Sequence, residues 1–352
     1  MDRRTFLRTT TAAAATTTVV AESAAAREPQ MSAPAVARGV RELSLYSPWN
    51  SDLPVFADMA ADLTSRLQTA LGDRYRITVP STAAGESDLV FSPPESIVPP
   101  EPAFAYFGGL PGALGLAPHA HQAWLTIGGG QMLWDDLSAP QGWKPLLAGH
   151  TGSQPGLWAN RALHSAADFA DGAVAISGIG GRVAAALGAS PVDLPPENLA
   201  SALRNGRICA SEWGNPLSAL MLGLPAAATH HYHEGIFRNG STLSLNVRLP
   251  VWNGLSASDQ AILEGVAATT FARSVAEFSV HQKLAAEAIS RANPALKVGH
   301  LPPPVSKAVD EAAFRAVMDI AQALPDNTRI HQSHSAFQAL VGAPGDIRMP
   351  VS

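Results

Sequence analysis

The sequence predicts an α/β protein built on an open sheet. Three observations carry this. First, short apolar runs alternate with helical stretches between Ala173 and Trp213. Val174–Ile176 is followed by an Ala-rich segment that Gly180-Gly181 opens and Gly188 stops. Pro191–Leu194 leads to a second segment, from Glu197 to Asn205-Gly206, and then to Ile208–Ala210. Strand, glycine turn, helix, strand, helix, strand is how a crossover-connected sheet reads. Second, Ser177 and Glu212-Trp213 stand just past strand ends, where open α/β sheets bind their ligands. Third, 352 residues with 46% hydrophobic and 15% charged side chains can bury a core of domain size.

Taken in order, the chain opens with M-D-R-R-T-F-L-R and a soft Ala/Thr/Val stretch with no charge until Glu22. Arg3-Arg4 with Phe6-Leu7 matches a twin-arginine export signal, and Ala24-Ala25-Ala26 offers a cleavage site. The apolar part is too short and too polar for a membrane span. Residues 1–40 therefore read as a twin-arginine signal peptide and linker, and the mature chain as periplasmic or extracellular. Leu43–Ser47 reads as a strand ending at Pro48-Trp49-Asn50. Leu53–Leu71 reads as a helix with Phe56, Met59, Ala60, Leu63 and Leu67 on one stripe. Strands follow at Arg76–Val79 and Leu89–Ser92. A helix broken at Gly128-Gly129-Gly130 spans His119 to Leu137, and Trp143–Ala148 is a strand. The crossing through Gln154 and Trp158 is a hinge candidate, with Leu243–Val247 as the returning strand. Ser256 caps the longest helix, which Asn293-Pro294 stops. Val305–Leu324 and Thr328–Leu340 are the last helices.

Three segments between Asp168 and Trp213 also resemble a known family. D-F-A-D-G-A-V-A-I-S-G-I-G-G, L-G-A-S-P-V-D-L-P and A-L-R-N-G-R-I-C-A-S-E-W occur in that order. They are similar to the ordered motifs of the DctP-type solute-binding proteins of TRAP transporters. The likeness extends through G-G-G-Q-M-L-W-D-D-L, G-H-T-G-S-Q-P-G-L-W and S-L-N-V-R-L-P-V-W-N-G-L, from about residue 42 to about residue 340. It implies a two-lobed periplasmic-binding-protein fold with a hinge and a long C-terminal spine helix. The expected parts are a first lobe at 41–150, joined by part of 247–352, and a second lobe at 151–246. A lobe-spanning helix at 256–292 and packing helices at 293–352 complete it. The implied function is extracytoplasmic capture of a small organic ligand for a TRAP-type transporter. Its partners would be the membrane permease subunits, and the long helix would support a homodimer.

The resemblance also implies a site. Gln154, Glu212 and Trp213 would hold a Na⁺ or Ca²⁺ ion that bridges to the ligand's carboxylate, with no organic cofactor. The ligand would further contact Trp158, Ala175, Ser177, Phe237 and Asn246. Two departures stand out. The family's carboxylate-clamping Arg is replaced by Ala175, and a helix that the family carries after Glu86 is missing. Arg161, Arg182, Arg207 and Arg248 read as surface or structural residues. The alternative function is an exported enzyme or biosynthetic protein that reuses the scaffold, with His150 as general base and Glu212 as its partner. His230, His231, His233 and Glu234, and the H-x-H of His119 and His121, are the right residue types for Zn²⁺ or Cu²⁺. For the 230–234 cluster, where the family carries a Tyr-rich run, plain substitution of histidine on that surface is the favoured account.

Other classes are excluded. A net charge of −5 leaves no basic footprint for nucleic acid. The single cysteine, Cys209, forms no internal disulfide and reads as a buried thiol. No G-x-S-x-G, P-loop, H-E-x-x-H or C-x-x-C motif is present.

Overall fold

A computed structural model describes residues 39–49, 53–80, 87–96, 101–152, 156–170, 172–237 and 239–341. The expected export signal falls almost wholly outside them, as does Gln154. The chain lays down β1 (Arg41–Tyr46), helix α1 (Pro54–Leu71), β2 (Tyr75–Thr78) and β3 (Leu89–Ser92). Helices α2 (Pro118–Thr126) and α3 (Gly130–Ser138) precede β4 (Trp143–His150). It then crosses into β5 (Leu157–Ala159), β6 (Ala173–Ala175), helix α4 (Gly178–Ala186) and β7 (Ser190–Val192). Helix α5 (Pro196–Arg204), β8 (Ala210–Ser211), helix α6 (Pro216–Met221) and β9 (His230–Tyr232) follow. The chain returns as β10 (Thr242–Arg248) and ends with α7 (Ala257–Ala292), β11 (Lys297–Gly299), α8 (Pro303–Ala323) and α9 (Pro325–Val341).

These strands form two sheets, of order β2-β1-β3-β10-β4 and β11-β9-β5-β8-β6-β7. In the first, β1 runs parallel to β2 and β3, and β10 is wedged antiparallel between β3 and β4. In the second, β6 lies parallel to both β7 and β8, while β5 is antiparallel to β8 and β9. The result is a mixed α/β fold with a long C-terminal helix, as the sequence predicts. The segment expected to lack a helix enters β3 directly from Ser87-Asp88, with residues 81–86 outside the described set. The histidine-rich stretch at 230–232 forms β9, which the sequence did not announce, because three residues show no periodicity.

Helix α1 packs on the first sheet because Phe56, Ala60, Leu63 and Leu67 recur at helical spacing and are all buried. Each such leucine contributes about 1.5–3 kcal/mol by leaving water. Ser256 caps α7, its hydroxyl accepting from the Asp259 amide at 3.1 Å. At 36 residues, α7 is about 54 Å long. Leu263 and Ala267 near its start pack into the first sheet's core. Ala285 and Ile289 near its end pack against α5 and the helices after Glu212. The helix therefore ties both sheets together.

Of the crossings between the sheets, those from β4 to β5 and from β9 to β10 touch each other. The Thr151 amide donates to the Ser241 carbonyl at 2.8 Å, and the Ser241 amide donates to the Thr151 hydroxyl at 2.9 Å. Gly240, at φ 71°, lies so close to the Gly152 carbonyl that a side chain there would overlap it.

Candidate functional site

The carboxyl ends of the parallel strands from both sheets converge on one cavity of about 620 Å³. Trp49 follows β1, and Pro93 and Glu95 follow β3. From the second sheet come Ala175–Ser177 after β6, Asp193 after β7, and Glu212–Gly214 after β8. Such a crevice is where open α/β sheets bind ligands, because the crossover loops diverge there.

Glu212 is the best-fixed polar group in the cavity. It is only 7% exposed. One carboxylate oxygen accepts from the Phe237 amide at 2.8 Å and the other from the Ile236 amide at 2.5 Å. The loop can wrap the carboxylate only because residue 235 is glycine, since a Cβ there would overlap Glu212. Burial raises the Glu212 carboxyl to about 7, against the two amide hydrogen bonds that lower it. Next to it, Asn215 caps α6 by accepting from Leu217 and Ser218, both at 3.0 Å, and donates to the Thr151 carbonyl at 3.0 Å. The Glu212 turn is thus pinned to one crossing.

Aromatic side chains form the apolar part of the wall. Trp213 meets Phe56 edge to face at 5.5 Å, and Phe56 stacks on Trp49 at 5.1 Å. Since Phe56 belongs to α1, this contact joins the first sheet's side to the second's. Phe237 lines the cavity beside them.

Of the residues singled out from sequence, Ala175, Ser177, Glu212, Trp213 and Phe237 all line this cavity. Trp158 and Asn246 do not. Trp158 is fully buried in β5 and stacks on His231 at 4.0 Å, an interior partnership that keeps it from the cleft. Asn246 lies in the middle of β10, where its amide donates to the Ser244 hydroxyl at 2.7 Å and the Val90 carbonyl at 3.3 Å. Arg182 is exposed, as its surface reading has it, and the surface it occupies is the cavity wall. Trp49 and Glu95 were missed, although the strand-end rule that picks out Glu212 applies equally to β1 and β3.

The catalytic alternative finds no geometry. His150 is buried, and its Nδ1 accepts from the Gly152 amide at 3.0 Å. Burial, with His119 adding, lowers it to about 3, so it is neutral and its acceptor nitrogen is occupied. Both Glu212 oxygens are engaged by amides rather than by His150. The histidine cluster disperses likewise. His231 is sandwiched against Trp158, and Glu234 pairs with His300 Nδ1 at 2.5 Å. His121 packs edge-on against Trp124 at 5.7 Å. Among the described residues no group of three or more His, Cys, Asp or Glu is arranged to hold a metal ion. No described helix is long and apolar enough to cross a membrane.

Known proteins are similar to this chain in sequence and in fold. A monocarboxylate 2-oxoacid-binding periplasmic protein of Nostoc sp. is 32% identical over 219 residues, which is 62% of this chain. The match spans 58% of that relative's length. A TRAP solute-binding protein of Bordetella bronchiseptica, solved with calcium and picolinate, superposes with a TM-score of 0.79 at 23% identity. That match covers 86% of this chain and 93% of the other. One of Pseudoalteromonas atlantica, solved with sodium and pyruvate, gives 0.79 at 23% identity over 86% and 95% of the two chains. Residues 115–323 match the model of the bacterial extracellular solute-binding proteins of family 7, the DctP family. That match takes in more than half of the chain, and the chain belongs to that family.

Proposed function

We propose that this protein is the extracytoplasmic receptor of a TRAP-type transporter, capturing a small organic acid between its two sheets and delivering it to membrane permease subunits. The observation that carries the reading is Glu212, a buried carboxylate fixed by two amides in a cavity built from strand ends. Ligand capture by closure of two lobes, 41–150 and 151–246, about the paired crossings is part of the proposal. So is export by the twin-arginine route from Arg3-Arg4.

Glu212 also suits a hard cation. Its two amide partners leave roughly half of the carboxylate's lone-pair sites free. Burial of its charge is offset by those amides alone. Na⁺ or Ca²⁺ prefers such oxygen donors and would supply positive charge that a ligand carboxylate can share. Gln154 and Trp213 would complete its surroundings. The Nostoc relative and the two solved neighbours, described as binding 2-oxoacids, picolinate and pyruvate, support an organic acid as ligand. A homodimer is the finer part of the reading, resting on Val280 and Leu284, which are 57% and 42% exposed on α7.

Calorimetry with pyruvate in calcium or sodium chloride tests the reading. Binding should depend on the cation and be lost in Glu212→Gln. Retention of full affinity in that variant would refute it.

A further inference from the structure

Four carboxylates line the cavity, from Glu95, Glu101, Asp193 and Glu212, and an entering anion must overcome them. Two are committed to backbone amides: Glu212 as described, and Glu101, which accepts from Ala103 at 3.2 Å. Glu95 and Asp193 are not offset by any ion pair among the described residues. Against these stands one cationic side chain among the described lining residues, Arg182. It too has no ion-pair partner among them.

Arg182 sits one turn into α4, whose N-cap Ser177 and first residues Gly178 and Ile179 also line the cavity. The first amide bonded inside the helix is that of Gly181, to the Ser177 carbonyl at 3.1 Å. The earlier amides of the turn remain free of helical partners, and helix starts favour negative charge. A guanidinium one turn along adds a forked donor that matches a carboxylate. Depth differs between the two wall positions. Ala175 is 4% exposed at the strand end, whereas Arg182 is exposed to the cleft.

We infer that Arg182 is the residue that recognises the ligand's carboxylate, and that the space over Ala175 admits an alkyl or aryl chain longer than that of pyruvate. The inference rests on the receptor reading above and adds to it a recognition point and a substrate class: organic acids with an extended apolar body. Such a body would rest on Trp49, Phe56, Trp213 and Phe237.

The test is calorimetry in calcium chloride with straight-chain 2-oxo acids from pyruvate to 2-oxo-octanoate, on the full mature protein and on Arg182→Gln, Arg182→Lys and Glu212→Gln. Arg182→Gln should weaken every acid about tenfold or more, the loss of a charge-assisted fork. Arg182→Lys, which keeps the charge without the fork, should lose less. Affinity of the unaltered protein should rise about threefold to fourfold per methylene until the cavity is full. Because Arg182 is exposed, both of its variants should melt like the unaltered protein without ligand. Unchanged affinity in Arg182→Gln, with binding abolished in Glu212→Gln, overturns the inference and leaves the receptor reading standing. Pyruvate binding best, with longer acids rejected, overturns the substrate class. No binding of any acid in the series overturns both inference and reading.

Discussion

Replacing Glu212 by Gln should change how stability depends on pH. In the fold the carboxyl is raised from 4.5 to about 7, mainly by burial. Between those values the folded state holds a proton that the unfolded chain has released, so this group makes stability fall as pH rises. Each pH unit in that window is worth about 1.4 kcal/mol, so the charged, ligand-free carboxylate costs about 3 kcal/mol once pH exceeds 7. Gln carries no charge at any pH. Its amide leaves one of the Ile236 and Phe237 donors without an acceptor, at a cost of about 1–3 kcal/mol that does not vary with pH. The variant is therefore less stable than the unaltered protein near pH 4.5, and the gap narrows by about 3 kcal/mol by pH 8. Urea denaturation of both proteins, without ligand, across this range measures the difference directly. Calcium at pH 8 should stabilise only the unaltered protein. A difference between the two that stays constant from pH 4.5 to pH 8 would show that the buried carboxylate does not titrate as argued.

Other expectations follow from the same contacts. Gly235→Ala puts a methyl group into the Glu212 carboxylate, so it should cost about 1–3 kcal/mol in urea and weaken acid binding in calorimetry. His121, His150 and His334 are each lowered to about 3, and His231 to about 4, all chiefly by burial. The unfolded chain takes up these protons first, so the four histidines should remove stability as pH falls below 6.5, visible as a falling melting temperature towards pH 4. Trp158→Phe should cost roughly 1–3 kcal/mol through the space left against His231, with pyruvate affinity unchanged because the ring does not reach the cavity.

The site was legible in the sequence wherever a residue follows a strand that can itself be read. Ser177, Glu212 and Trp213 come after runs with clear glycine and proline punctuation, and the structure gathers all three on one cavity. Trp158 was misjudged because its position depends on β5 and β9, three residues each, whose pairing is tertiary and leaves no local pattern. Asn246 sits in a strand that was recognised, but neighbouring Ser244 and Val90 decide that its amide is used inside the sheet. Arg182 reads from sequence as a surface or structural residue and is exposed, but a helical pattern records which side chains face the core, not that the exposed face looks onto the cavity. The long helix is legible from its cap at Ser256, its stop at Asn293 and the apolar stripe of its first half, Leu263 to Phe278.

The position of β10 has a consequence for how the molecule is made. It supplies the strand between β3 and β4, yet it is residues 242–248 of the chain, far behind β3 at 89–92. At about 5–20 residues per second, a ribosome that has finished β3 needs on the order of ten seconds to finish β10. During that interval β3 and β4 have no strand to join them, and the apolar side chains that will face Leu243, Leu245 and Val247 stay uncovered. Closure of so distant a pairing is slow in itself, since the loop entropy must be overcome before the contacts form. The nascent first sheet therefore keeps apolar surface open to aggregation until the chain returns as β10.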